Sequence, residues 1–144
     1  MTEKPESNTD LVQMLRKAGL RPTRQRLELA RLLFSGGDRH VTAEMLHLEA
    51  ISSDISVSLA TIYNTLNQFS GSGLLRVIAI EGSKTYLDTN TSDHQHFYFE
   101  DEGRLIDIDA GERIVVSVPP LPEGAEIERI DVLIRLVAPR RKSR

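Results

Sequence analysis

The 144-residue chain has no cysteine and no tryptophan, and only 5% of its residues are aromatic. Without cysteine the protein cannot form disulfides, use a thiolate nucleophile, or bind structural zinc or haem through sulfur. Any bound metal must therefore be held by His, Asp, Glu or Tyr side chains. The chain also lacks both a signal-peptide pattern and an apolar run near the roughly 18 residues of a transmembrane helix. We therefore expect no membrane association and a cytoplasmic protein.

The hydrophobic content of 40% and charged content of 27% are typical of a globular protein with one ordinary domain or two small ones. The charges are segregated by sign along the chain. Residues 11–40 carry seven Lys or Arg against two acidic residues, a net charge of +5, and residues 81–131 carry four basic against thirteen acidic, a net charge of −9. A basic N-terminal half can face phosphates while an acidic C-terminal half binds cations. The alternative is that these blocks mix in space on folding, and that the basic residues 140–144 are only a solubilising end.

Local patterns in the N-terminal half predict four helices followed by a hairpin. Leu11, Met14, Leu15 and Ala18 form an apolar stripe at helical spacing, which Gly19 ends. Suitable N-cap residues precede the next three helices, at Thr23, Thr42 and Ser58. Two β-prone runs, residues 75–80 and 85–88, are joined by residues 81–84 as in a hairpin. This order predicts an α+β fold with a winged helix-turn-helix, whose third and fourth helices are linked through residues 54–57.

The fourth predicted helix has a face suited to nucleic acid. Leu59, Ile62, Leu66 and Phe69 would point inward at spacings of 3, 4 and 3. The remaining side chains are mostly uncharged hydrogen-bonding groups, namely Ser58, Thr61, Tyr63, Asn64, Thr65 and Gln68. Such groups can read base edges or contact phosphates in a duplex. A polar surface helix without a partner is the alternative interpretation.

The segment His94-Gln95-His96-Phe97-Tyr98 predicts a ligand site. In a strand, His94, His96 and Tyr98 would line one face, with Phe97 and Phe99 on the other. Neutral imidazole is the commonest metal ligand in proteins, so this face is a candidate for a metal or a haem. The alternative is an ordinary solvated strand with two histidines.

Taken together, several segments resemble the ferric uptake regulator (Fur) family. They are residues 15–26 (LRKAGLRPTRQR), 40–44 (HVTAE), 60–69 (ATIYNTLNQF), 73–75 (GLL), 82–88 (GSKTYLD) and 94–98 (HQHFY). The resemblance implies a homodimeric transcription regulator and not an enzyme. It implies a winged-helix DNA-binding domain over residues 1–88 and a small α/β domain for dimerisation and ligand sensing over residues 89–144.

The same resemblance implies roles for individual residues. The regulatory metal ligands would be His40 at the start of the third helix, Asp88 at the end of the wing, His94, His96 and Asp107. Oxygen and nitrogen ligands of this kind suit Fe, Mn or Zn. On double-stranded promoter DNA, phosphate contacts would come from Arg21, Thr23, Arg26 and Lys84. Contacts from the fourth helix, which would be the recognition helix, would come from Ser58, Thr61, Tyr63 and Asn64.

The chain also departs from the family pattern. It lacks the two Cys-x-x-Cys pairs, so it has no Cys-ligated structural zinc. A further family metal site would fall on Asp93, Gln95 and Asp131, and it looks degraded. The longer C-terminal helix of the family would be reduced to residues 111–118, followed by a proline-rich loop. A final strand would place Ile130, Val132, Ile134 and Leu136 on one face.

The lack of cysteine, the HxH pair and the YNTLNQF sequence resemble the iron response regulator (Irr) branch of α-proteobacteria. That resemblance implies that haem binds at His94 and His96, with His40 or Tyr98 as other axial candidates, and releases the protein from DNA. An alternative within the family is a repressor that needs Fe(II) or Mn(II) as corepressor. An alternative outside the family is a small non-haem iron enzyme that uses His94, His96 and Asp88 or Asp107 as iron ligands. A helix-turn-helix would have no purpose in such an enzyme.

Overall fold

The structure, a computed structural model, describes residues 5, 7–80, 84–109 and 111–139. These residues form two compact units: the first extends through Thr91 and the second begins at Ser92. The sequence placed this boundary after residue 88. Residues 81–83 of the expected turn at 81–84, and the basic residues 140–144, lie outside the described residues. None of the helices in the described ranges is long and apolar enough to cross a membrane.

The first unit has the winged-helix arrangement expected from the sequence. Its elements are α1 (Asn8–Lys17), α2 (Arg24–Phe34), β1 (His40–Val41), α3 (Ala43–Ser52), α4 (Leu59–Gly71), β2 (Arg76–Ala79) and β3 (Thr85–Asp88). The strands form an antiparallel sheet in the order β1-β3-β2. The predicted hairpin is therefore confirmed as β2 and β3, and β1 adds a third strand that the sequence did not indicate.

Local signals explain where the helices begin and end. Thr23, Thr42 and Ser58 each accept a hydrogen bond from the backbone N–H three residues later, as the N-cap predictions required. Ser7 and Asp10 form a capping box that starts α1. Gly19 follows α1 with φ +79°, a left-handed conformation that favours glycine.

The core of the first unit lies where the helices meet the sheet. Its buried residues include Leu15, Leu29, Leu33, Leu46, Ile62, Leu66 and Phe69. The Phe34 and Phe69 rings pack with centroids 6.3 Å apart. The inward stripe of α4 is Ile62, Thr65, Leu66 and Phe69, so Thr65, which the sequence grouped with the outward residues, is buried. Leu59 is only partly buried, because the stripe is centred one turn further along the helix.

The second unit is a small sheet of β4 (His96–Phe99), β5 (Arg104–Asp107) and β6 (Leu133–Leu136). Strand β4 is central, antiparallel to β5 and parallel to β6. The helix expected over residues 111–118 is wrong, because residues 111–132 contain neither helix nor strand. Ile114, Val115 and Val116 are β-branched and Pro119-Pro120 follow closely, and both features disfavour a helix. The last strand is also shorter than expected, since it begins at Leu133.

Candidate functional site

In the first unit, His40 and Asp88 form a potential ligand pair. Strand pairing places them directly opposite each other, with His40 Nε2 3.2 Å from Asp88 Oδ2. Asp88 is fully buried, and its Oδ1 accepts a hydrogen bond of 2.9 Å from the Asn90 backbone N–H. His40 lies in β1 and not at the start of α3 as the resemblance implied, because pairing with β3 holds residues 40–41 extended before the Thr42 N-cap.

In the second unit, His94, His96 and Asp107 converge. His96 opens β4 opposite Asp107 of β5, and His94 precedes it by two residues. The Nε2 atoms of both histidines lie 3.3 Å from the same Asp107 Oδ1 atom. The centroids of the two imidazole rings are 4.5 Å apart, and only 7% of His94 and 2% of His96 is exposed. The expected placement of both histidines on one side of the segment is therefore observed, with Tyr98 buried and Phe97 and Phe99 half-buried.

The hydrogen bonding of His94 determines which ring nitrogen can act as a ligand. Its Nδ1 lies 2.7 Å from the Ser92 carbonyl oxygen, which can only accept a hydrogen bond. A neutral His94 therefore carries its proton on Nδ1 and presents the Nε2 lone pair beside Asp107. Imidazole nitrogens and a carboxylate oxygen, with no sulfur, fit a divalent ion such as Fe, Mn or Zn.

Gln95, between the two histidines, has a role that the sequence did not indicate. Its Oε1 accepts a hydrogen bond of 2.5 Å from the Val132 N–H, and its Nε2 donates one of 3.3 Å to the Ile130 carbonyl. The amide thus holds the chain where it enters β6. The sequence indicates Gln95 only as a position where a family metal ligand is missing, because no neighbouring residue reveals its distant hydrogen-bond partners.

A pocket of about 260 Å³ lies within the second unit. Its apolar wall consists of Ile108, Ile114, Val116, Ile130 and Val132. Its polar lining consists of Asp93, His94, Gln95, Asp109 and Glu112. One of the candidate ligands, His94, therefore borders an aliphatic cavity.

The outward side chains of α4 differ in their freedom to contact a partner. Tyr63 and Asn64 are exposed and Thr61 is half-buried. The Ser58 hydroxyl accepts from the Thr61 N–H and donates to the Thr61 hydroxyl at 3.0 Å, so it serves as the N-cap. The Tyr63 hydroxyl donates to the carboxylate of Glu44 on α3. That hydrogen bond lowers the pKa of Glu44 and raises the pKa of Tyr63. No pattern in the sequence indicates a role for Glu44.

The residues expected to contact phosphates fall into two groups. Arg21 and Lys84 are exposed, as is the N-cap residue Thr23. Arg26 instead donates through Nη1 to the Arg21 carbonyl at 2.8 Å, and through Nε and Nη2 to Gln68 Oε1 at 3.2 and 3.0 Å. Arg26 therefore ties α2 to α4.

A winged helix with an outward polar helix, together with His and Asp side chains that lie close enough within each unit to hold a metal ion, is typical of the class of ligand-responsive DNA-binding proteins. Comparison with known proteins is more specific. The profile described as the ferric uptake regulator family matches residues 17–128. The ferric uptake regulation protein of Shigella flexneri is 36% identical over 100 residues, which cover 69% of this chain and 68% of that protein.

The peroxide-responsive repressor PerR of Staphylococcus aureus is 34% identical over 117 residues, covering 81% of this chain and 70% of that protein. The structure of the ferric uptake regulator from Pseudomonas aeruginosa with manganese superposes with a TM-score of 0.68 at 22% identity, covering 90% of this chain and 98% of that one. That likeness shows a common fold. The chain belongs to the ferric uptake regulator family, a family of transcription regulators, and it is not an enzyme.

Proposed function

We propose that this protein is a cytoplasmic, homodimeric repressor of iron-homeostasis genes whose binding to promoter DNA depends on a divalent metal, Fe(II) or Mn(II). The observation that carries the proposal is the convergence of His94, His96 and Asp107 in the second unit. The relatives named as ferric uptake regulation protein and peroxide-responsive repressor support the regulatory role. The structural neighbour described with manganese supports the choice of metal.

The proposed metal ligands are His40 and Asp88 in the first unit and His94, His96 and Asp107 in the second. Within each unit the ligand atoms already lie within 3.3 Å of a partner, so little rearrangement is needed to bind an ion. The hydrogen bonds from Asn90 to Asp88 and between His94 and Ser92 orient the ligands, as partners behind metal ligands usually do. When bound, the metal supplies the positive charge that these carboxylates and imidazole lone pairs stabilise.

The proposed DNA interface is the exposed face of α4 with the neighbouring basic residues. Thr61, Tyr63 and Asn64 would contact base edges from the major groove, with Ser58 at the helix N-terminus. Arg21, Thr23 and Lys84 would contact phosphates. Arg26 would assist chiefly by holding the recognition helix, because its guanidinium already bonds Gln68.

The apolar surface of the second unit supports a homodimer. Its irregular segment exposes Val115 at 91%, and also Val116, Leu121 and Ile127. Exposed apolar side chains concentrated in one segment are typical of an interaction site, and we assign this segment to contact with a second copy of the chain. Two copies would place their recognition helices in successive major grooves, about one helical turn apart.

Release from DNA by haem is the second candidate function. The sequence resemblance to the iron response regulator branch supports it, and so does the aliphatic pocket beside His94. In this mode His94 and His96 would be haem ligands, and the apoprotein would be the form that binds DNA. The burial of both histidines beside one carboxylate favours the divalent metal.

The test is a gel shift of the full chain on promoter DNA as apoprotein and with Mn(II), Fe(II) or haem. Binding only with a divalent metal is the expected result. Binding by apoprotein that haem abolishes would establish the second candidate, and no binding under any condition would refute both.

The ligand assignment is tested by Mn(II) titration of His96→Ala and Asp88→Asn, one variant from each unit. His47→Ala is the matched control, because His47 lies on α3 outside both ligand sets. Both ligand variants should lose metal affinity and metal-dependent DNA binding, while the control retains them. Unchanged stoichiometry and affinity in either variant would remove that residue from the site.

A further inference from the structure

The Tyr63 side chain, the most exposed aromatic group on the recognition helix, is held by a residue of another helix. Its hydroxyl donates its single proton to the carboxylate of Glu44, in the first turn of α3. Tyr63 itself is 44% exposed, and Glu44 is also exposed. The pair therefore forms on the surface that the proposed function assigns to DNA.

The direction of this hydrogen bond limits what Tyr63 can recognise. A phenol has one proton to donate, and here the proton is committed to Glu44. The hydroxyl then presents only lone pairs, so it can accept a hydrogen bond but cannot donate one. Phosphate oxygens are also acceptors, and a hydroxyl in this state cannot bind them. In the major groove, the hydrogen-bond donors are the amino groups of adenine and cytosine.

We propose that Glu44 is a specificity-determining residue that holds the Tyr63 hydroxyl as an acceptor for an adenine or cytosine amino group at one base pair. The inference rests on the proposed DNA-binding function and deepens it. The negative charge of Glu44 also disfavours a register in which a phosphate approaches Tyr63, so both effects direct this side chain to bases. Glu44 acts through Tyr63 and is a positioning residue.

The ordinary alternative is that Glu44 is a surface carboxylate that weakens DNA binding by repulsion. The two interpretations predict different results for Glu44→Ala, which removes the acceptor together with the charge, whereas a glutamine Oε1 would still accept the Tyr63 proton. Loss of repulsion alone would strengthen binding to every duplex by a similar factor and would not depend on Tyr63. Loss of positioning would weaken the preference at one base pair and leave the others as they were.

The experiment begins with selection of preferred duplexes from a random pool by the wild-type full chain, under the metal or haem condition that supports binding. Affinities for the selected duplex and its single-base-pair variants are then measured for wild type, Glu44→Ala, Tyr63→Phe and the double variant. Asp54→Asn is the charge-matched control. Asp54 is exposed in the turn between α3 and α4 with φ 56°, a conformation that asparagine also tolerates.

We expect Glu44→Ala and Tyr63→Phe each to reduce discrimination at the same base pair about three- to tenfold, the loss of one hydrogen bond. The double variant should lose no more than either single variant, because both changes remove the same contact. The adenine at that base pair can be replaced by purine, or the cytosine by a base without its amino group. This replacement should lower the affinity of the wild type by the same factor and leave the affinities of the variants unchanged. Asp54→Asn should keep the wild-type preference.

Additive losses at different base pairs, or equal strengthening on all duplexes by Glu44→Ala, would overturn the inference and leave the proposed function intact. A wild-type chain that enriches no sequence under any ligand condition would refute DNA recognition itself, and the inference with it.

Discussion

Replacing Gln95 by alanine should loosen β6 without removing any candidate ligand. The Gln95 amide makes two hydrogen bonds to the chain entering β6, one to the Val132 N–H and one to the Ile130 carbonyl. A typical hydrogen bond contributes about 0.5–1.5 kcal/mol to stability. Water can replace part of both bonds, because Gln95 and Val132 are only half-buried and Ile130 is exposed. We therefore expect Gln95→Ala to destabilise β6 by about 1–2 kcal/mol.

Amide hydrogen exchange of the full chain measures this loss at the strand itself. About 1–2 kcal/mol corresponds to a roughly 5- to 30-fold faster exchange of the protected β6 amides. Gln95→Glu should show a smaller effect, because its carboxylate still accepts from Val132 but cannot donate to Ile130. Gln13→Ala, at an exposed position of α1, is the control. Unchanged β6 protection in Gln95→Ala, or a loss equal to that in the control, would refute the assigned role.

Two further predictions concern the first unit. Phe69→Ala should lower the free energy of unfolding, measured by urea titration, by about 3–5 kcal/mol, because Phe69 is fully buried against Phe34. A loss below about 1 kcal/mol would contradict this packing. Hydrogen bonding raises the pKa of Tyr63 and lowers that of Glu44, so in NMR titrations Glu44→Gln should lower the Tyr63 pKa and Tyr63→Phe should raise the Glu44 pKa. The hydrogen bond between Tyr63 and Glu44 is fully present above the ordinary pKa of a glutamate. It should weaken as the pH falls through the lowered pKa of Glu44. Unchanged values in both variants would show that the pair does not form in solution.

Much of the first unit was predictable because its signals are local. Thr23, Thr42 and Ser58 act on backbone groups three residues away, so an N-cap can be read from neighbouring residues. The buried stripe of α4 follows from helical periodicity, with Thr65 as the exception. In the second unit, the two-residue spacing of His94 and His96 was enough to place them on one side.

Residues 111–132 show where this reasoning failed. A family pattern suggested a helix over part of that segment, whereas its β-branched residues and prolines disfavour one. Local propensity was therefore the better guide there than resemblance.

By itself, the sequence determined the helices, the wing, the family and the residue types available as ligands. Only the tertiary structure decided which side chains meet. Asp107 reaches both histidines through the pairing of β4 and β5, Gln95 bonds residues far along the chain, and Glu44 holds Tyr63 from a different helix. The physical reason is that caps and periodicity act over a few residues, whereas side-chain partners are chosen by strand register and helix packing, which depend on the whole fold.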